Sequence, residues 1–111
     1  MKTASTFRSH PQLRHYVESV AVALGVEPAA SLTEYGTPSW AYIALADTSP
    51  RHPGRLLMLV WDSNNGWALA LEPERMEEHR VLASWPELVH PEPTEISDLV
   101  RRALQPSGAR V

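Results

Sequence analysis

Six consecutive apolar residues, Leu56-Leu57-Met58-Leu59-Val60-Trp61, followed shortly by Asn65-Gly66, constrain this chain more than any other stretch of it. Such a run ending in turn chemistry reads as a β-strand without a polar face. Asn-Gly supplies the positive φ that a tight hairpin turn needs, and Trp67-Ala68-Leu69-Ala70-Leu71 reads as the returning strand. A strand apolar on both faces needs cover on both faces, from helices, a second sheet or another molecule.

Register decides which side chains share a face. With Asn64-Asn65-Gly66 as a three-residue loop, Ser63 stands opposite Trp67, Trp61 opposite Leu69 and Leu59 opposite Leu71. A four-residue loop sets Trp61 against Ala68 instead. The first version gathers Leu59, Trp61, Trp67, Leu69 and Leu71 on one side and leaves Met58, Val60, Ala68 and Ala70 on the other, and it is the version adopted. Small alanines let a helix approach closely, so the helices are expected on the alanine side. The other side then carries an aromatic patch of Trp61, Trp67 and Leu69, extended by Trp40 and Tyr42 from the neighbouring strand. Contiguous exposed apolar surface of roughly several hundred Å² marks an interface. The competing reading is that these tryptophans are ordinary core, where most of the Trp surface is buried.

The rest of the chain supplies the cover. Ser9-His10-Pro11-Gln12 is a helix start: Ser9 caps free backbone N–H groups, Gln12 completes a capping box, and Pro11 suits a first turn. Leu13, Tyr16, Val17, Val20 and Leu24 follow at helical spacing, and Gly25 and Pro28 end the run. A weak strand is expected over 30–35, turn chemistry at Gly36-Thr37-Pro38-Ser39, and a better strand over 40–45. On that strand Trp40, Tyr42 and Ala44 alternate with Ala41, Ile43 and Leu45. Residues 47–54 form a Pro- and Gly-rich loop. Residues 72–80 are charged loop, and 81–85 form either a fifth strand or a lead-in to the last helix. Pro91-Glu92-Pro93-Thr94 opens that helix, whose buried face is read as Ile96, Leu99, Val100, Ala103 and Leu104. Glu95 and Asp98 near its start and Arg101 and Arg102 near its end suit the helix dipole. The fold class is therefore α+β, with an antiparallel sheet of four or five strands and an N-terminal and a C-terminal helix packed on one face.

At 111 residues one domain is expected, with 1–8 and 105–111 as flexible tails. The formal charge of −3 is spread without blocks of like charge, which disfavours nucleic acid as a partner. There is no cysteine, so disulfides, thiolate chemistry and Cys-type zinc sites are excluded. No apolar run reaches the roughly 18 residues of a membrane span, and the first residues lack the apolar region of a secretory signal. A cytoplasmic protein without membrane contact is expected.

Little in the chain carries chemistry. Five histidines contain no His-x-x-x-His pair, and each of His10, His15, His52, His79 and His90 is read as solvated surface. Nothing fixes two of Glu72, Glu74, Glu77 and Glu78 at a defined separation for acid–base work. Asp62, beside the turn, is the best isolated candidate, and hydrogen bonding to turn backbone is its favoured role. Phosphate loops and serine elbows are missing. No catalytic, metal or cofactor site is assigned.

The helix ending Tyr16-Val17-Glu18-Ser19-Val20-Ala21-Val22-Ala23-Leu24-Gly25, the strand Ala41-Tyr42-Ile43-Ala44-Leu45, the hairpin with Leu59, Trp61-Asp62 and Gly66-Trp67-Ala68, and Val81-Leu82-Ala83 followed by Pro91-Glu92-Pro93 together resemble a small actinobacterial family of unknown function. The resemblance spans roughly residues 13–104. It departs at Asn64-Asn65, where a charged residue and a histidine are expected before the glycine. It implies a compact cytoplasmic domain and gives no activity to carry over. The expectation from the whole chain is a non-enzymatic protein-binding or regulatory accessory domain, a homodimer or docked on another protein through a sheet face or edge. The alternative is a small-ligand binder with a Trp/Tyr-lined pocket between sheet and helices, and a small enzyme is third.

Overall fold

The computed structural model describes residues 7–48, 54–73, 80–88 and 90–104. Helix α1 (His10–Ala23) leads through a 3₁₀ turn (Pro28–Ala30) into β1 (Ser31–Glu34), β2 (Trp40–Thr48), β3 (Leu56–Asp62), β4 (Gly66–Leu71) and β5 (Arg80–Trp85), and α2 (Pro93–Leu104) closes the order. The strands form one antiparallel meander in the order β1-β2-β3-β4-β5. This is the expected α+β architecture, with 81–85 resolved in favour of a fifth strand. Among the described residues no helix is long and apolar enough to cross a membrane. The expected tails 1–6 and 105–111, His52, His79 and Glu74, Glu77 and Glu78 lie outside the described residues.

Helix α1 is held at both ends by local chemistry. The Ser9 hydroxyl accepts from the Gln12 N–H at 3.3 Å, while the Gln12 amide oxygen accepts from the Arg8 N–H, one residue earlier than in a strict capping box. At the other end Gly25 has φ +80°. The Gly25 N–H reaches the Val22 carbonyl and the Val26 N–H reaches the Ala21 carbonyl, which is the Schellman arrangement. Helix α2 docks on that end. The Ser97 hydroxyl and the Arg101 guanidinium both donate to the Ala23 carbonyl, at 3.0 and 3.2 Å. Ser97 is thereby buried among Ile96 and Val100, whereas Ala103, expected inside, is exposed. Docking on the carbonyl end of α1 turns α2 so that a serine, and not an alanine, faces inward.

The hairpin has the expected side-chain faces and a different pairing. Trp61 lies opposite Trp67, Leu59 opposite Leu69 and Leu57 opposite Leu71, while Asp62 pairs with Gly66. The loop is thus Ser63-Asn64-Asn65, with Gly66 (φ +73°) as a left-handed bulge residue. The Asp62 carboxylate accepts from the Asn64 and Asn65 N–H groups at 2.8 and 2.7 Å and from the Asn65 amide at 3.1 Å. Three donors on one aspartate set the turn one residue earlier than the sequence reading placed it, which moves each pairing partner by two.

The cover is the reverse of the expectation. Leu57, Leu59 and Trp61 on β3 and Trp67, Leu69 and Leu71 on β4 join Ala41, Ile43 and Leu45 on β2 in one core with Leu13, Val17, Val20 and Ala21 of α1 and Ile96 and Val100 of α2. The helices therefore lie on the tryptophan side, and the alanine side is away from them. Large side chains explain this: a Trp or Leu removes far more apolar area from water than an Ala, so packing both helices on the bulky face buries more.

Gly66 is the most crowded of the described glycines. A Cβ there would lie 3.0 Å from the Trp85 carbonyl oxygen and 3.3 Å from the Pro86 Cα, in a backbone conformation that L-residues rarely adopt. Gly66→Ala is expected to lower stability by about 2 kcal/mol or more in urea unfolding, from strain and from separation of β4 and β5.

Candidate functional site

Two aromatic surfaces flank the sheet, and the five residues singled out from the sequence divide between them. Trp61, Trp67 and Leu69 are 3%, 0% and 0% exposed and face the helices. Trp40 and Tyr42 point to the opposite side, where Trp40 pairs with Asp62 and Tyr42 with Val60. The single aromatic patch expected from all five does not form, because β2 alternates out of phase with Trp61 and Trp67: Ala41 is the residue opposite Trp61.

On the inner side the tryptophans belong to a cluster that includes three residues the sequence reading did not place there. Phe7 stands edge-on to Trp61 (centroids 5.8 Å) and His90 (4.5 Å) and is tilted on Tyr16 (5.2 Å). Tyr16 packs near Trp67 at 6.2 Å and His90 at 6.0 Å. Phe7 falls within the stretch read as tail, yet its ring is packed. The Tyr16 hydroxyl donates to the Pro91 carbonyl at 2.6 Å and accepts from the Trp67 indole N–H at 3.2 Å. Burial pushes the Tyr16 phenol up to about 12; the Trp67 bond opposes that shift, and the charges of Glu92 and Glu95 add to it. The Trp61 indole N–H is also buried, but it has no hydrogen-bond partner among the described residues.

The histidines are not uniformly surface groups. His10 shares a 3.0 Å hydrogen bond with the Thr33 hydroxyl, tying the start of α1 to β1. His90 is half-buried against Phe7, Tyr16 and Trp61, and desolvation lowers its pKa. His15 is exposed. Among the described residues no three His, Asp or Glu side chains stand close enough to hold a metal ion. Beside the inner cluster, on the surface of α1, lies a groove of about 690 Å³ lined by Phe7, Pro11, Gln12, His15, Tyr16, Ser19 and Pro93.

Among the described residues, no helix lies on the outer side of the sheet. Register places Leu32 beside Tyr42, and Tyr42 beside Val60, and Val60 beside Ala68. Val81 stands next to Ala70 and Met58. Leu32, Leu56, Val81 and Trp40 are 60%, 54%, 50% and 41% exposed, although all are large apolar residues. Nearer the centre Met58 and Ala70 are buried. The Tyr42 hydroxyl reaches across β3 to donate to the Glu72 carboxylate at 2.5 Å, which carries its ring over this part of the face. Burial, then that hydrogen bond and the Glu72 charge, push the Tyr42 phenol up to about 12. Arg55 in turn donates to the Glu72 carbonyl at 2.9 Å. Leu32, Leu56 and Val81 escaped the sequence reading because only the strand pairing shows that they share a face with Trp40.

These geometries set two expectations. His90 has a folded pKa below its ordinary 6.5, so the unfolded chain takes up the proton first as pH falls. Stability should be level just above about pH 6.5 and decline from there towards pH 5, and His90→Asn should flatten that decline in urea unfolding followed across pH. Tyr16→Phe leaves the Trp67 N–H and the Pro91 carbonyl without their shared partner, and should lower stability by about 2 kcal/mol at neutral pH.

The sequence profile of a family of unknown function (DUF6292) matches residues 16–102. No curated protein and no solved structure matches the chain. The matched stretch contains Tyr16, both core tryptophans, His90 and every strand. It fits the spacing of helix, Trp-Asp hairpin and closing helix that suggested such a family from sequence. On that match, the chain belongs to the DUF6292 family of unknown function.

Proposed function

We propose that the chain is a non-enzymatic protein-binding domain that self-associates through the face of its sheet turned away from α1 and α2. The observation that carries this reading is the presence of Leu32, Trp40, Leu56 and Val81 on one face, each at least 41% exposed. Isolated apolar side chains on a surface need no explanation, but four large ones on one face of a flat element mark an interaction surface. A second copy offers the same apolar face, and a two-fold arrangement lets each patch cover its equivalent with no requirement for charge complementarity. Of the carboxylates weighed for acid–base work, the two described ones have structural partners: Asp62 holds the turn and Glu72 holds Tyr42.

Sedimentation equilibrium over a wide concentration range should show a monomer passing to a dimer. Leu32→Asp and Trp40→Ser should weaken that association at least tenfold with little change in melting temperature, because both residues are exposed. Trp61→Ala and Trp67→Ala should instead cost about 3–5 kcal/mol of stability as core truncations. A monomer at every concentration would overturn the self-association reading.

A further inference from the structure

We infer that the groove on α1 and the Trp61 indole N–H together form a binding site for a small, largely apolar molecule carrying one carbonyl-type acceptor, with Phe7 as the movable partition between them. The argument starts from the unused donor. Trp61 is 3% exposed and its N–H has no partner among the described residues, although the neighbouring Trp67 N–H is bonded to Tyr16. A buried donor left unbonded is destabilising, and a native chain rarely retains one without a use. An acceptor arriving with a ligand supplies what the fold leaves out.

The route to that donor is short. Phe7 lines the groove and also packs edge-on against the Trp61 ring, so its side chain touches both. It precedes the Ser9 cap and so lies outside α1, and its side chain has two rotatable dihedrals. The groove is about 690 Å³, within the range of roughly 300–1,000 Å³ typical of small-molecule sites. Pro11, Tyr16 and Pro93 give it apolar walls, and Gln12 and His15 stand at its margin. Walls of this kind favour a flat apolar body, and the Trp61 donor selects a neutral acceptor over an anion, since among the described residues no Lys or Arg lines the groove. The site lies on the opposite side of the sheet from the self-association face and stands independently of it.

The test uses the full chain and 6-propionyl-2-dimethylaminonaphthalene, an aromatic ketone whose emission shifts to the blue on leaving water, beside 2-dimethylaminonaphthalene, which lacks the carbonyl. The ketone should bind at one site and at least fivefold more tightly than the carbonyl-free compound. In ¹⁵N-labelled protein the Trp61 indole resonance, one of four, should move downfield with the ketone alone. Trp61→Phe removes the donor while leaving a smaller aromatic ring in its place, and should weaken ketone binding about tenfold. Phe7→Ala should strengthen it by removing the partition. Equal binding of the two compounds, no binding of the ketone, or an unmoved Trp61 resonance would each overturn the proposal. The last three readouts need no substitution that affects folding.

Discussion

The Tyr16 hydroxyl is the point on which the arrangement of sheet, first helix and closing helix depends. It accepts from Trp67 in the middle of the hairpin and donates to the Pro91 carbonyl, two residues ahead of α2. One oxygen thus fixes the depth at which α1 sits on the sheet and the place where the chain turns into its last helix. Around it the rings of Phe7, Trp61, Trp67 and His90 fill the volume between the layers. Its geometry is specific in a way that apolar contact is not, because a hydroxyl shared between two buried groups tolerates little displacement before both lose their partner. The remaining core residues, all aliphatic apart from the tryptophans, supply most of the burial but little of this directional control.

That hub also explains why the two faces of the sheet differ. Bulky residues on β3 and β4 generate an inner face that only helices of matching apolar area fill, and both helices are used there. The outer face is left with Ala44, Ala68 and Ala70 near its middle and large side chains towards its margins. Tyr42 lies across part of that middle and is anchored by Glu72. The face is therefore partly self-covered and partly open. Open apolar side chains at the margins of a flat surface are well placed to meet another surface of the same kind.

Much of this was legible in the chain itself. The Ser9 start and Gly25 end of α1, the order of strands and the closing helix follow from capping, periodicity and turn residues, all of which act over a few positions. The faces of the hairpin were legible as well, since period-two alternation survives a two-residue error in pairing. That error arose at Asp62, whose carboxylate takes the turn backbone and shifts the loop to Ser63-Asn64-Asn65. The choice of which face the helices cover was not legible from local pattern, because it rests on comparing the total area buried in two complete arrangements. The same holds for His90 and Phe7. Each looks like a surface residue in its own segment, and only the meeting of segments far apart in sequence places them against Trp61. Leu32 and Val81 sit at the two edge strands, and their common face appears only when five strands are registered against one another.

The attachment of Ser97 and Arg101 to the Ala23 carbonyl has a consequence for how the chain assembles. Every strand in the meander pairs with its neighbour in sequence, so the sheet grows by short loop closures. The two helices meet across 74 and 78 residues, at a carbonyl that is available only when α1 has formed its final turn. An element made before the sheet therefore holds the docking point for one made after it. During synthesis α1 must wait, complete but without its partner helix, until the five strands and α2 have emerged, and the apolar side of the sheet stays partly uncovered through that interval.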